Sequence, residues 1–298
     1  MKLLFADSGS TKTQWAIVEL HPGLPRVVHT TQTQGLNPLY VATEEITAAC
    51  RQALSDFGEG PTGVHALRFY GSGCSGERVA MVEQGLRAAL TPMTRVTVES
   101  DLMGASLALT SKDGEETAPF IACILGTGSI AALYQPQSRR LMPMPALGYI
   151  LGDEGSGAWF GRQLLGDYLK GQMPERVQEA FEDDYGTIAA ESAIHHVYQL
   201  PCPNRYLATF ASFLGRHPEL NYVRELAYRG IDAFWQRNVM RIAGHAIGQG
   251  VVDVRLVGGL AWSLRPTVEQ VAESHGYVVS QVLKNPIDGL IMCNFCIV

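Results

Sequence analysis

The sequence predicts an α/β protein built from two related domains, and three observations lead to that prediction. Residues 3–18 contain an apolar run, a turn of glycine and hydroxyl residues, and a second apolar run. The same arrangement returns at residues 120–134, as expected for a duplicated unit. The chain has 298 residues, 46% of them apolar, and a chain of this size tends to divide its core between two domains.

The first domain, residues 1–116, is predicted as a three-stranded meander followed by alternating helices and strands. The apolar runs at 3–6 and 15–18 flank a turn of small residues, as in a β-hairpin. A turn rich in proline and glycine at 21–25 then leads into a third strand. Helical spacing of apolar residues follows at 43–54. The remaining elements are strands at 66–70 and 96–99 and helices at 77–90 and after residue 101.

The second domain, residues 117–285, repeats the arrangement of strand, turn and strand. Its strands are predicted at 120–125 and 131–134, on either side of a turn at 126–129. A helical insert is predicted from 155 to 248, followed by a strand at 254–257 that leads into Gly258 and Gly259. The tail, residues 286–298, is predicted to pack as a helix against the first domain.

Composition and charge exclude several classes of function. The net charge is −6 and the lysines and arginines form no cluster, which argues against binding to nucleic acid. No run of apolar residues approaches the roughly 18 that a membrane span needs. The six cysteines are spread along the chain and favour reduced thiols. We therefore expect a cytoplasmic protein.

The two small-residue turns are candidate phosphate-binding sites. Small residues allow backbone N–H groups to converge on an anion, and hydroxyl groups add further donors. Asp7, at the end of the first strand, is a candidate Mg²⁺ ligand through water. Either turn alone could be no more than a tight hairpin, but two turns at matching positions favour a shared phosphate chain. The candidate phosphate-binding residues are Ser8, Gly9, Ser10, Thr11 and Lys12 in the first turn and Gly126, Thr127 and Gly128 in the second.

The order of motifs resembles the sugar kinase/actin/chaperone superfamily. The two turns resemble its two phosphate loops, and Val257-Gly258-Gly259-Leu260-Ala261 resembles its adenosine motif. Within the superfamily, Gly152-Asp153-Glu154-Gly155-Ser156 resembles the signature of the N-acetylglucosamine kinase and BadF/BadG-type ATPase family. Other matches are Gly35-Leu36-Asn37-Pro38, Gly71-Ser72-Gly73 and Glu99-Ser100-Asp101.

This resemblance implies two ribonuclease H-like domains around a cleft. It also implies phosphorylation of an amino sugar, with ATP and Mg²⁺ as cofactors and the hydroxyl at position six as the acceptor. It implies that Asp101 is the catalytic base and that Gly258 and Gly259 contact the nucleotide. It also implies a homodimer as the family-level expectation. The sugar-binding positions that it implies are Asn37, Ser129, Ile130, Leu147, Gly148 and Asp153.

Several alternatives stay open at this point. Asp101 could instead cap the helix that follows it, and Asp153 could cap the helix from Gly155. Cys74 could be a nucleophile, although no histidine near it in sequence is a candidate base. The chain could be a BadF-type ATPase, which needs cluster-binding cysteines, but residues 148–171 contain none. It could also be a non-catalytic sugar or nucleotide sensor.

Overall fold

The computed structural model describes residues 1–20, 25–60, 62–111, 116–245 and 253–295. The contacts divide the chain into two compact units. Unit 1 comprises Met1–Thr117 and Asn285–Val298, and unit 2 comprises Ala118–Lys284.

Unit 1 is built on a five-stranded mixed sheet with the order β3-β2-β1-β4-β5. The first three strands form an antiparallel meander, and β4 and β5 are parallel to β1. The strands are β1 (Lys2–Ser8), β2 (Lys12–Leu20), β3 (Pro25–Gln34), β4 (Ala66–Gly71) and β5 (Arg95–Ser100). The sheet is connected by α1 (Thr43–Asp56) and α2 (Arg78–Arg87), and α3 (Asp101–Ala108) follows β5 directly.

Residues 3–6 of the central strand β1 are all apolar, because both faces of this part of the strand are covered. Leu4 and Ala6 face a core that includes residues of α1 and α2, whereas Leu3 and Phe5 face the opposite side of the sheet. Successive strand residues point to opposite faces, so a strand buried on both sides reads as a continuous apolar run.

Unit 2 repeats this arrangement, with the strand order β10-β9-β6-β7-β8. Strands β6, β7 and β8 form the antiparallel meander, and β9 and β10 are parallel to β6. The strands are β6 (Phe120–Leu125), β7 (Ser129–Gln135), β8 (Arg140–Pro143), β9 (Asp253–Val257) and β10 (Val278–Leu283). The predicted α/β class and the duplicated ribonuclease H-like arrangement are therefore confirmed.

A helical region separates β8 from β9. It contains α4 (Gly148–Leu151), α5 (Gly157–Leu169), α6 (Glu175–Tyr185), α7 (Ala190–Tyr198), α8 (Pro203–Thr209), α9 (Ser212–Arg216), α10 (Asn221–Phe234) and α11 (Met240–His245). A π-helical turn, Trp235–Val239, joins α10 to α11. Residues 246–248 of the predicted insert lie outside the described residues. After β9 come α12 (Gly259–Ser263) and α13 (Arg265–Ser274).

The last helix, α14 (Pro286–Phe295), packs on unit 1. Ile287 and Ile291 contact the face of the sheet that carries Leu3 and Phe5. The helix also lies against α3, where Gly289 comes so close that a Cβ there would meet the carbonyl oxygen of Ala108 at 2.3 Å. Residues 296–298 of the predicted tail helix lie outside the described residues. Among the helices that the structure describes, none has the length and hydropathy of a membrane span.

Candidate active-site residues in the two units

The turn between β1 and β2 is held in place by a hydrogen bond within the turn and by one from the residue that follows β3. Its ends are joined by a hydrogen bond of 3.0 Å from the Gly9 N–H to the Lys12 carbonyl oxygen, and the Gly35 N–H donates to the Thr11 carbonyl oxygen at 3.0 Å. A Cβ at Gly35 would lie 2.5 Å from the carbonyl oxygen of Ser10, so only glycine fits there. Of these turn residues, Gly9, Thr11 and Lys12 are exposed and Ser10 is half-buried.

Ser8 is different, because its side chain is buried and holds the turn together. Its hydroxyl oxygen accepts from the Leu36 N–H at 3.0 Å and lies 2.8 Å from Thr13 Oγ1. Thr13 Oγ1 in turn donates to the Gln34 carbonyl oxygen, so the Ser8 hydroxyl must be the donor to Thr13. The Ser8 hydroxyl therefore donates one hydrogen bond and accepts another within the protein. This residue, which the sequence predicts as a phosphate contact, has a structural role in the turn.

Two carboxylates lie at the carboxyl edge of the unit 1 sheet, where the ends of β1, β4 and β5 are adjacent. Asp7 belongs to β1, and Asp101 follows β5 as the first residue of α3. Burial, and then the negative charge of Asp101, raise the pKa of Asp7 to about 7, against a smaller opposing effect of Lys12. Burial also raises the pKa of Asp101, and hydrogen bonds to its carboxylate oppose that effect.

The capping alternative for Asp101 is not what the structure shows. Ser100 is the N-cap of α3, and its hydroxyl oxygen accepts from the Met103 N–H at 3.2 Å. Asp101 instead accepts from the Leu102 N–H at 2.9 Å and from the Ser72 hydroxyl. The carboxylate is therefore held in place without being needed to start the helix.

Ser72 connects Asp101 to Asn37, the first predicted sugar-binding residue. Asn37 is buried, its Nδ2 lies 3.4 Å from the Ser72 oxygen, and its Oδ1 accepts from the Leu39 N–H at 2.9 Å. Gly73 has φ +77°, and a Cβ there would lie 2.4 Å from Asn37 Oδ1. The structure thus brings Asn37 and Asp101 together through Ser72. Sequence reasoning missed the role of Ser72, although a hydroxyl between two glycines after a strand was a signal for it.

Cys74 lies beside this cluster but does not have the properties of a nucleophile. It is buried, and burial together with the charge of Asp101 raises the pKa of its thiol to about 12. A nucleophilic cysteine needs its thiolate form near neutral pH.

The turn between β6 and β7 is tied to the start of α5. The Gly126 N–H donates to the Gly128 carbonyl oxygen at 3.0 Å. The Gly157 and Ala158 N–H groups donate to the carbonyl oxygens of Gly126 and Thr127 at 2.8 and 3.0 Å. The first turn of α5 thereby fixes the shape of the second candidate phosphate loop.

Asp153 lies against this second turn. It has φ +54°, a left-handed conformation that is uncommon for residues other than glycine, and its Oδ1 accepts from the Ser129 N–H at 3.3 Å. A Cβ at Gly128 would be 3.2 Å from Asp153 Oδ2. Burial raises the pKa of Asp153, the Ser129 N–H lowers it, and the charge of Glu154 raises it. The N-cap of α5 is Ser156, so Asp153 does not cap that helix.

The other predicted sugar-lining residues belong to β7 and to the segment just before Asp153. Ile130 follows Ser129 in β7 and is half-buried. Leu147 is 56% exposed and precedes Gly148, which has φ +71° and opens α4.

Gly258 and Gly259 begin α12 beside the second turn. A Cβ at Gly258, which has φ +129°, would lie 2.1 Å from the carbonyl oxygen of Leu125, so packing requires glycine there. At Gly259 and Gly126 a Cβ would meet no atom within 4 Å. The protein itself does not need glycine at these two positions, whereas a ligand approaching the backbone would.

Two sheets of ribonuclease H-like topology, each with a small-residue turn after its first strand and one with carboxylates at its carboxyl edge, define a member of the sugar kinase/actin/chaperone superfamily. Comparison with solved structures makes the assignment narrower. The chain is 37% identical to a protein from Porphyromonas gingivalis that is provisionally assigned as an N-acetylglucosamine kinase, over 98% of each chain, with a TM-score of 0.85. The chain therefore belongs to the N-acetylglucosamine kinase and BadF/BadG-type ATPase family.

Two more distant structures agree on the fold. A protein from Chromobacterium violaceum with the same provisional assignment is 21% identical over 98% of each chain, with a TM-score of 0.64. A glucokinase from Balamuthia mandrillaris, in complex with glucose, is 11% identical over 98% of this chain and 92% of its own, with a TM-score of 0.51. No protein-family model matches the sequence, and no curated protein matches it.

Proposed function

We propose that this protein is an ATP-dependent kinase of an amino sugar, N-acetylglucosamine or glucosamine, with the 6-hydroxyl as the acceptor. The observation that carries the proposal is the hydrogen-bonded series Asn37, Ser72 and Asp101 at the carboxyl edge of the unit 1 sheet. Ligands of α/β proteins bind at this edge of the sheet. The family assignment supports the same reaction.

Asp101 is the general base in this proposal. It accepts the proton of the sugar hydroxyl as that oxygen attacks the γ-phosphorus of ATP, and ADP leaves. Burial raises the pKa of Asp101, which makes its carboxylate a stronger base, and the hydrogen bonds from Leu102 and Ser72 oppose that rise. The two effects together suit a residue that must be deprotonated and basic near neutral pH.

The remaining sugar contacts are assigned to Asn37 in unit 1 and to five residues of unit 2. The amide of Asn37 and the carboxylate of Asp153 have the hydrogen-bonding groups that sugar hydroxyls need. Leu147 offers apolar surface, because its side chain is exposed although it is hydrophobic. The residues assigned in unit 2 are Ser129, Ile130, Leu147, Gly148 and Asp153.

The nucleotide contacts are assigned to the exposed part of the first turn, to the second turn, and to Gly258 and Gly259. The open Cβ positions at Gly126 and Gly259 support this assignment. Within the described residues there is no cluster of three or more metal-ligating side chains. A single carboxylate such as that of Asp7 fits Mg²⁺, which usually binds through one or two carboxylates, water and substrate phosphates. Asp7 would hold the ion through water, and Mg²⁺ would neutralise phosphate charge.

A coupled ADP-release assay over a panel of hexoses and amino sugars, with an ATP-only control, tests the proposal. We expect ADP release that depends on N-acetylglucosamine or glucosamine and yields the 6-phosphate by NMR. ADP release without any sugar would favour the BadF-type ATPase. Sugar or nucleotide binding by calorimetry without turnover would favour a sensor.

A further inference from the structure

Glu154, which follows the sugar-binding candidate Asp153, is a buried carboxylate held by two residues of a distant segment. Its side chain is 9% exposed, and its Oε1 lies 2.6 Å from Nη1 of Arg237, a residue whose side chain is 66% exposed. On the other side, Nδ2 of Asn238 lies 3.5 Å from Oε2 of Glu154. A buried carboxylate of this kind needs its partner, because removal of one charge leaves the other unpaired away from water.

Both partners of Glu154 belong to the π-helical turn Trp235–Val239. The Met240 N–H donates to the Trp235 carbonyl oxygen, five residues back, and α10 and α11 continue the helix on either side. The turn packs against β7, with Trp235 and Val239 buried. A π turn inserts one extra residue into a helix and changes the direction of the side chains, and such turns are frequent at functional sites. Here the consecutive residues Arg237 and Asn238 both reach Glu154.

Glu154 is coupled to the sugar-binding candidates by its backbone. Its carbonyl oxygen accepts from the Ser129 hydroxyl at 2.8 Å, and the Ser129 N–H donates to Asp153. On the next residue, a Cβ at Gly155 would lie 2.9 Å from the carbonyl oxygen of Gly230 in α10. The segment that carries Asp153 is therefore enclosed between the second turn and the helix that ends in the π turn.

We propose that Arg237 and Asn238 are positioning residues for Asp153, the sugar-binding carboxylate, and that the π turn orients both of them toward Glu154. The proposal rests on the proposed sugar kinase function. Asp153 has a left-handed backbone conformation, which persists only where surrounding contacts enforce it. The ion pair to Glu154 supplies such a contact on the residue beside it, and so fixes Asp153 and Ser129 for the sugar.

The test is Arg237→Ala, measured by sugar and ATP kinetics, with Gln236→Ala as the matched control. Gln236 lies in the same π turn, is exposed, and bonds to Asp232 and not to Glu154. We expect Arg237→Ala to raise the KM for sugar about tenfold with little change in the KM for ATP, because a misplaced ligand weakens sugar binding alone. Arg237→Lys should recover part of the loss, and Gln236→Ala should behave as wild type.

A double-mutant cycle tests whether Arg237 and Glu154 act through their shared ion pair. Glu154→Gln should raise the KM for sugar to a similar extent, and combination with Arg237→Ala should add little, since both changes break one interaction. An unchanged KM for sugar in Arg237→Ala, or equal rises for sugar and ATP with a lower Tm, would overturn the positioning role.

Hydrogen exchange separates this proposal from the proposed function. The Ser156 N–H donates to the Asp153 carbonyl oxygen at 3.1 Å, and the Gly157 N–H donates to Gly126. Arg237→Ala should speed exchange at both amides relative to Gln236→Ala, whether or not the wild type turns over a sugar. If the wild type phosphorylates no sugar, the proposed function fails, and unchanged exchange at these amides would overturn the positioning role by itself.

Discussion

The two units have the same sheet topology, but the residues that follow corresponding strands differ in their chemical groups. In unit 1, β5 leads into the carboxylate of Asp101, whereas in unit 2 the corresponding strand β10 leads into the exposed Lys284. In unit 1, β4 leads into Ser72 between two glycines, whereas β9 leads into Gly258 and Gly259. The strand order is retained and the residues at the carboxyl edge differ.

This difference gives the carboxyl edges of the two sheets different chemical groups. Unit 1 gathers carboxylate, hydroxyl and amide groups, which suit a proton transfer and a sugar. In unit 2 the residues at the ends of β6, β9 and β10 carry no carboxylate, and the carboxylate that lies against the second turn, Asp153, comes from the segment between β8 and β9. A duplicated fold thus provides the scaffold twice, and short strand-end segments give each copy its own chemistry.

The largest expected effect compares the residues that follow β5 and β10. Asp101→Asn should lower kcat by about 10²-fold or more, with little change in ATP binding, because the base is lost and the side-chain volume is kept. Lys284→Ala, at the corresponding position of unit 2, should keep a kcat within a few-fold of wild type. Steady-state kinetics of both variants measure this, and near-normal turnover in Asp101→Asn would remove that residue from the mechanism.

The next effect compares two neighbouring glycines of unit 2. Gly258→Ala should lower the free energy of unfolding by about 2 kcal/mol or more, since its Cβ would overlap the Leu125 carbonyl oxygen at a φ that L-residues rarely adopt. Gly259→Ala should leave that free energy within about 0.5 kcal/mol of wild type and raise the KM for ATP. Urea unfolding and ATP kinetics check the pair. A Gly259→Ala protein with an unchanged KM for ATP would contradict the nucleotide assignment.

A third effect concerns Asp7 and the pH dependence of Mg²⁺ binding. The pKa of Asp7 is raised to about 7, so its carboxylate is ionised above pH 7 and protonated below it. Because a cation binds the ionised form, the affinity for Mg²⁺ should be highest above pH 7 and should fall about tenfold between pH 8 and pH 6. Calorimetry with Mg²⁺ and ADP measures this. Asp7→Asn is the control for protonation of the nucleotide itself, and an equal pH dependence in both proteins would exclude Asp7.

The smallest effect is expected for the hydroxyl of Ser72. Ser72→Ala removes a hydrogen bond that lowers the pKa of Asp101, so that pKa should rise. A base with a higher pKa is protonated at higher pH, so the acidic limb of the kcat profile should move upward in pH, with a loss of a few-fold near neutrality. Kinetics between pH 5 and 9 test this, with Ser75→Ala as a nearby control. A profile identical to wild type would show that Ser72 does not act on Asp101.

Much of the fold could be predicted from the sequence, because the central strands are buried on both faces. Residues 3–6 of β1 and the whole of β6 are continuous apolar runs, and the turns after these strands consist of small residues, so both patterns are visible locally. The edge strands β8 and β10 were not predicted. Strand β8 has only four residues and ends in a proline, and β10 is partly exposed along its length, so neither has an apolar run.

The duplicated sheet, the two small-residue turns and the family could be identified from the sequence, because apolar periodicity and short motifs are local properties of the chain. Only the tertiary structure showed that Ser72 joins Asn37 to Asp101, that the hydroxyl of Ser8 is used internally, and that Arg237 holds Glu154. These contacts join residues 5 to 83 positions apart, and no local pattern specifies them. In unit 1 they arise from parallel strands that end at one edge of the sheet, and in unit 2 from a helical turn that packs against β7, and both are consequences of the complete fold.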